Sequence, residues 1–294
     1  MPQTCTLCIF TPTYNRAAHL EKLFESLLVQ GGNFRWLIVD DGSPDNTEDV
    51  VESLKARANF PVTYIKQENG GKQRAFNTAV AHCTDDLLMC VDDDDLLPEG
   101  TVQAIYDAWE NFADDEHCAG MIGMCGKTAD EPLRTSIPAQ LERTTMWDLY
   151  YKHHHMGDTA QIHRTEILRQ FPFDVAPNER FIGETYVFHQ IDQHYDLGVM
   201  HRVLIIREYL DDGYTANVRK VTRENPIGYM KLKRMYIEYA DNLPLKFYES
   251  ILYLVGCHFA RHPKAIRTAP NPVIAAVAWL PAQILCHTVY RKRS

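Results

Sequence analysis

The run Asp92-Asp93-Asp94-Asp95 follows the apolar stretch Leu87–Val91 without a break. Four adjacent carboxylates repel one another unless cations balance them. Hard divalent ions such as Mg²⁺ and Mn²⁺ take oxygen ligands, often one or two carboxylates plus substrate phosphates. An Asp-x-Asp spacing lets one carboxylate reach a metal while another meets a ribose hydroxyl. A solvated acidic turn would have the same composition, and the buried-strand pattern ahead of the run is what favours a site. Three more polar clusters share that setting. Asp40-Asp41-Gly42-Ser43 closes the apolar segment Arg35–Val39. A carboxylate there can accept hydrogen bonds from a base or a ribose, or it can belong to a turn that Ser43 and Asp45 cap. Gly70-Gly71-Lys72 precedes a helical pattern. Glycine permits close backbone approach and lysine can face a diphosphate. Thr13-Tyr14-Asn15 ends the first apolar run, Cys5–Thr11.

The elements that must carry these clusters alternate. Strand patterns at Cys5–Thr11, Arg35–Val39, Val62–Ile65 and Leu87–Val91 are separated by helical periodicities at Ala18–Val29, Asn46–Ala58 and Gln73–His82. Leu20, Leu23, Phe24, Leu27 and Leu28 share one helical face. Pro98 opens a further helix to about Asn111. Such alternation predicts an α/β fold, a mostly parallel sheet flanked by helices, whose nucleotide-binding half is Rossmann-like. Ligands of such sheets bind beyond the carboxyl ends of the strands, and all four polar clusters fall there. Strands are expected at Met121–Cys125 and Leu197–Arg207, and a helix at Glu184–His194. The last third reads as helices. The expected division is residues 1–215 as the main domain, with halves 1–112 and 113–215, and 216–294 as a helical C-terminal extension.

Several classes of function are disfavoured. The net charge of −9 is wrong for wrapping a nucleic-acid backbone, so no nucleic-acid partner is expected. No G-x-x-x-x-G-K-[ST] is present, which excludes a P-loop, and no G-x-G-x-x-G follows the first strand. Eight cysteines in 294 residues read as buried free thiols. Cys5-x-x-Cys8 lacks a second pair at zinc spacing. His153-His154-His155 lies in an extended segment, where adjacent side chains diverge and chelate poorly. The N-terminus shows no signal-peptide pattern, which leads to the expectation of a cytoplasmic protein.

Thr11-Pro12-Thr13-Tyr14-Asn15-Arg16, Asp40-Asp41-Gly42-Ser43, Gly71-Lys72 through Asn77, and Asp92–Asp95 followed by Pro98 together resemble the family 2 glycosyltransferases, in order and spacing, over the first ~110 residues. The resemblance implies the GT-A fold and an inverting, metal-dependent enzyme using Mg²⁺ or Mn²⁺. The donor it implies is a nucleoside-diphosphate sugar, with a UDP-sugar favoured. By the same resemblance Pro12, Thr13, Tyr14, Asn15 and Asp41 would border the base, with Lys72 near the base or diphosphate. Asp92 and Asp93 would meet the ribose and sugar side, and Asp94, with Asp92, the metal. Asp93 could exchange roles with a neighbour. The general base of the family lies in a Gly-Glu-Asp-like motif opening a helix. Here Phe181-Ile182-Gly183-Glu184-Thr185 has threonine for the second acid. That leaves Glu184 as the base, with Asp158 as the second candidate. A carboxylate favoured by the helix dipole is the plainer account of Glu184. The Glu208–Gly213 segment resembles a stretch bordering the acceptor site in some bacterial members.

The acceptor is expected to be a saccharide or a lipid-linked molecule in cell-surface polysaccharide or glycolipid assembly. Val273–Tyr290 is short for a membrane span and contains Pro281. With Arg291-Lys292-Arg293 behind it, it suits a peripheral membrane contact at the inner face of the cell membrane, or a homodimer contact. Two alternatives to a glycosyltransferase remain: a nucleotidyltransferase, and a non-catalytic nucleotide-sugar-binding relic for which Thr185 speaks.

Overall fold

The computed structural model describes residues 5–207 and 214–291. From the N-terminus come β1 (Leu7–Thr13), α1 (Ala17–Leu28), β2 (Phe34–Asp40), α2 (Thr47–Arg57), β3 (Val62–Lys66), α3 (Lys72–His82), β4 (Leu87–Cys90), β5 (Asp95–Leu96), α4 (Thr101–Trp109), β6 (Cys118–Gly126), β7 (Arg143–Thr144), α5 (Met146–Tyr151), β8 (Thr159–Arg164), α6 (Thr165–Leu168), α7 (Thr185–Ile191) and β9 (Asp196–Arg207). Then follow α8 (Tyr214–Glu224), α9 (Pro226–Tyr239), α10 (Leu243–Phe259), α11 (Ala265–Thr268) and α12 (Pro272–His287).

Every residue of β1 is buried, as a strand covered on both faces requires. The α1 side chains Leu20, Leu23, Phe24 and Leu27 are buried, so its apolar stripe faces the core. Asp45 starts α2 by accepting from the Thr47 N–H at 3.2 Å and from its hydroxyl at 2.5 Å. Glu48 and Asp49 in the first turn of α2, and Lys55 and Arg57 in the last, complement its dipole. Trp36 of β2 is fully buried and donates from Nε1 to Thr11 Oγ1 at 2.9 Å.

The sheet order is β3-β2-β1-β4-β8-β6-β9-β5, with β7 on β9. The expected parallel arrangement holds for β3-β2-β1-β4. Beyond β4 the sheet is mixed, because β8 runs antiparallel to both β4 and β6. Gly120 of β6 is required where β6 meets β8. A Cβ there would lie 1.9 Å from the Ile162 carbonyl oxygen.

The chain divides into two units, Met1–Pro172 with Val187–Glu208, and Phe173–Tyr186 with Tyr209–Ser294. This differs from a single cut at 215, because Phe173–Tyr186 packs with the C-terminal helices. Glu179 explains the docking of that segment. Its carboxylate accepts from the Ile227 and Gly228 N–H groups at 2.6 and 2.7 Å, capping the first turn of α9. In the same unit α10 packs on α9 and α12, around Tyr253, Leu254 and Val255. Among the described residues no helix is long and apolar enough to cross a membrane.

Candidate active site

The β1–β2 register pairs the strand ends Thr13 and Asp40, and the β1–β4 register pairs Cys90, the end of β4, with Phe10 three residues before the end of β1, so the loops that follow leave the same edge of the sheet. The Asp41 N–H donates to the Thr13 carbonyl and the Val91 N–H to the Phe10 carbonyl, both at 2.9 Å, which extends the alignment past the strands.

Asp41 is buried and organises the loop before α3. It accepts from the Gly70 N–H at 2.9 Å, the Gly71 N–H at 2.7 Å and Gln67 Nε2 at 2.7 Å. Gly71 stands at φ 94°, a left-handed conformation that glycine adopts without strain. The next residue, Lys72, is thereby aimed at the acidic run, where its Nζ lies 2.6 Å from Asp92 Oδ1. Asp40 points elsewhere, accepting from the Ser43 N–H and the Tyr64 hydroxyl. Ser43 Oγ in turn accepts from the Asn15 N–H at 2.8 Å, fixing the turn after β1.

The four aspartates alternate. The side chains of Asp93 and Asp95 are 6% and 2% exposed, whereas those of Asp92 and Asp94 are 28% and 24% exposed. Asp93 turns inward to accept from Thr13 Oγ1 at 2.7 Å. Arg16 bridges Asp93 at 3.3 Å and Asp94 at 2.7 Å. Arg207, the last residue of β9, grips Asp95 with contacts of 2.7 to 3.1 Å. It also reaches Asp158 at 3.3 Å and Asp92 at 3.8 Å. Burial pushes Asp93 up to about 6 despite Thr13 and Arg16, and Asp95 up to about 6 despite Arg207. Burial also works against ionised Asp92, but Lys72 and Arg207 outweigh it and hold this carboxyl below its ordinary value.

Thus two side-chain clusters stand side by side within one unit, Thr13 and Asp93 with Arg16 and Asp94, and Lys72 and Asp92 with Arg207, Asp95 and Asp158, and Asp41 holds the loop just before Lys72. Pro12 is buried in β1, and Tyr14 and Asn15 are exposed at its end. Glu184 is exposed and immediately precedes α7, in the segment that belongs to the other unit. Thr185 makes a 2.7 Å hydrogen bond with the Tyr236 hydroxyl. The Glu208–Gly213 segment lies outside the described residues. Of the three histidines only His155 is buried, and its Nδ1 meets Thr135 Oγ1 at 3.1 Å. Arg16, Asp95 and Arg207 complete these clusters, although no sequence motif marks a role for them. The signal for Arg207 was a cation closing an apolar strand in a chain with an unbalanced acidic run.

For a divalent cation, Asp92 and Asp94 fit in chemistry and placement. They are the two oxygen donors of the run that face outward; Lys72 and Arg16 pair with them at 2.6 and 2.7 Å, so a cation there would take over carboxylates now balanced by those side chains, whereas Asp93 and Asp95 are turned inward onto Thr13 and Arg207.

Comparison with known proteins gives a consistent picture. The sequence profile described as glycosyl transferase family 2 matches residues 8–172. An uncharacterized glycosyltransferase of Nostoc sp. is 31% identical over 105 residues, covering 35% of this chain and 33% of that protein. The poly(ribitol-phosphate) beta-N-acetylglucosaminyltransferase TarS of Staphylococcus aureus is 30% identical over 112 residues, 37% of this chain and 19% of TarS. The matched region is thus a third or less of these relatives' length. The structure of TarS 1–349 in complex with UDP-GlcNAc superposes with a TM-score of 0.54 at 17% identity, over 94% of this chain and 79% of that one. The mannosyltransferase PcManGT of Pyrobaculum calidifontis, in complex with GDP-Man and Mn²⁺, gives 0.55 at 18% identity, over 97% and 81%.

Proposed function

This chain belongs to glycosyl transferase family 2, with the GT-A fold, and from that premise we propose that it moves a sugar from a nucleoside-diphosphate sugar to an acceptor hydroxyl, inverting the anomeric carbon. The observation that carries the reading is the network of outward Asp92 and Asp94, Lys72 and Arg207 at the carboxyl ends of β1, β2 and β4. Ligands of open α/β sheets bind at that place.

Pro12, Tyr14, Asn15 and the Asp41 loop border the base. Asp41 acts through the backbone it holds: it fixes Gly70 and Gly71 and so positions Lys72. Lys72 and Arg207 supply positive charge to the diphosphate side, and Arg16 keeps Asp93 and Asp94 from repelling each other. Asp92 and Asp94 would hold Mg²⁺ or Mn²⁺, which offsets charge building on the departing diphosphate. The acceptor proton goes to Glu184, with Asp158 as the other candidate base. A UDP-sugar is the favoured donor, supported by the UDP-GlcNAc in the TarS structure. The acceptor is a saccharide or lipid-linked chain of cell-surface polymer assembly, met at the cytoplasmic face of the membrane.

The test is thermal stability against a panel of nucleoside diphosphates, with and without Mn²⁺, in the wild type and Asp94→Ala. A ligand at about 100 times its Kd adds about 2.7 kcal/mol to the folded state. A Mn²⁺-dependent rise with UDP or GDP, absent from folded Asp94→Ala, is expected. No shift with any nucleotide in folded protein would refute the reading.

A further inference from the structure

Helix α12 is inside out. Its small residues Ala275, Ala278, Ala282 and Cys286 are buried against its own unit. Its large apolar residues Val273, Val277, Leu280 and Ile284 are 55 to 76% exposed. Their spacing of four, three and four residues puts them on one stripe. The helix contains no Asp, Glu, Lys or Arg. A helix face turned to water is normally charged, so this stripe is built to be covered.

The charges around it indicate by what. Residues 242–294 hold seven lysines and arginines and one acid, Glu249, a net +6 in a chain of net −9. Glu249 is buried and paired with Lys233 at 3.0 Å, so it does not offset the surface charge. Arg261, Lys264, Arg267 and Arg291 are exposed, and none meets a carboxylate among the described residues. The helix that carries Arg267, α11, packs on α12.

We infer that α12 lies in the plane of an anionic lipid surface, with its Val273–Ile284 stripe in the acyl boundary and the surrounding cations on the headgroups. Sixteen residues give a helix of about 24 Å, short of the roughly 30 Å hydrocarbon core, and the alanine face is already anchored in the fold. The contact is therefore interfacial. A symmetric pairing of two α12 stripes would bring two cationic segments together, whereas anionic headgroups neutralise them. The inference extends the transferase reading by saying where a lipid-linked acceptor would be met, but the binding is measured without donor or acceptor.

The experiment is co-sedimentation of the full chain with vesicles. Binding to phosphatidylglycerol-containing vesicles is expected to exceed binding to pure phosphatidylcholine by about tenfold or more, and to weaken with salt. The double variant Val277→Glu/Leu280→Glu should lose about tenfold or more in binding while keeping its melting temperature, since both positions are exposed. Wild type that ignores both vesicle types, or a double variant that binds as well as wild type, overturns the inference. So does a wild-type dimer in analytical ultracentrifugation that the double variant converts to monomer without any vesicle binding. Persisting vesicle binding in a folded chain whose melting temperature no nucleoside diphosphate shifts, with or without Mn²⁺, would sink the transferase reading and leave this one standing.

Discussion

Arg207→Met isolates the balance between burial and pairing at the site. Among the described residues the Asp95 carboxylate is bonded by Arg207 alone, and its side chain is 2% exposed. Breaking a buried ion pair from one side usually costs about 3–5 kcal/mol, because a charge is left stranded. Here the stranded charge has an escape. Burial already pushes Asp95 up to about 6. At pH 7 the ionised form of the wild type is therefore favoured over the neutral form by only about 1 kcal/mol. Losing the cation raises this group further, so the variant takes up a proton and the electrostatic loss at Asp95 is capped near that value, while the longer, partly solvated contacts of Arg207 with Asp158 and Asp92 add less than about 1 kcal/mol. The lost hydrogen bonds add about 1–2 kcal/mol. The expected destabilisation is about 3 kcal/mol at pH 7. At pH 5 wild-type Asp95 is itself mostly protonated, the first contribution vanishes, and about 1–2 kcal/mol remains. Urea unfolding followed by tryptophan fluorescence measures this well, since Trp36, Trp109 and Trp147, three of the four tryptophans, lie in this unit. A loss that is the same at pH 5 and pH 7 would refute the proton-escape argument. A loss under 1 kcal/mol at pH 7 would refute the pairing itself.

Asp41→Asn removes an acceptor from the Gly70–Gly71 backbone and should cost about 2 kcal/mol. A rise in the donor KM is expected with it, because Lys72 follows that loop; an unchanged KM would detach Asp41 from donor binding. His163 is fully buried against Phe188, and burial lowers it to about 4. The unfolded chain binds the extra proton between about pH 6.5 and 4, so stability should fall by up to about 3 kcal/mol as pH drops through that window. His163→Phe should flatten this acid limb in a pH series of melting temperatures, and an unchanged limb would exonerate the histidine. Asp94→Ala should abolish transfer while costing less than about 1 kcal/mol, since its pair with Arg16 is partly exposed. Glu184→Gln should lower kcat by at least about a hundredfold with little change in KM; if Asp158→Asn does so instead, the base is Asp158.

The strand ends were legible in the sequence because each follows a short apolar run, and every residue of β1 is indeed buried. The parallel half of the sheet was legible for the same reason. The strand β8, with the sequence Thr-Ala-Gln-Ile-His-Arg, was not. It carries few apolar residues, and its place between β4 and β6 is decided by partners distant in sequence. Nor could periodicity show that Phe173–Tyr186 belongs with the C-terminal helices. That depends on Glu179 reaching two N–H groups almost fifty residues away. Arg16 and Arg207 escaped for a related reason. A run of acids announces itself locally, but the cations that balance it arrive from the turn after β1 and the end of β9.

The alternating exposure of the acidic run explains why four aspartates stand where two would serve a ligand. In this turn leading into β5, successive side chains face in and out. The inward pair acts as framework. Asp93 ties the run to Thr13 and Arg16 after β1, and Asp95 ties it to Arg207 at the end of β9. The outward pair, Asp92 and Asp94, is held in place by those ties and faces outward. The two pairs therefore separate by what their loss should change. Neutralising an outward carboxylate should remove chemistry and spare the fold, since its ion pair is partly solvated. Neutralising an inward one removes a buried carboxylate from its arginine or threonine partner and should move stability first. A site with one residue more or less in this run would invert every side chain after it, so the spacing of the run, as well as its acidity, is under physical constraint.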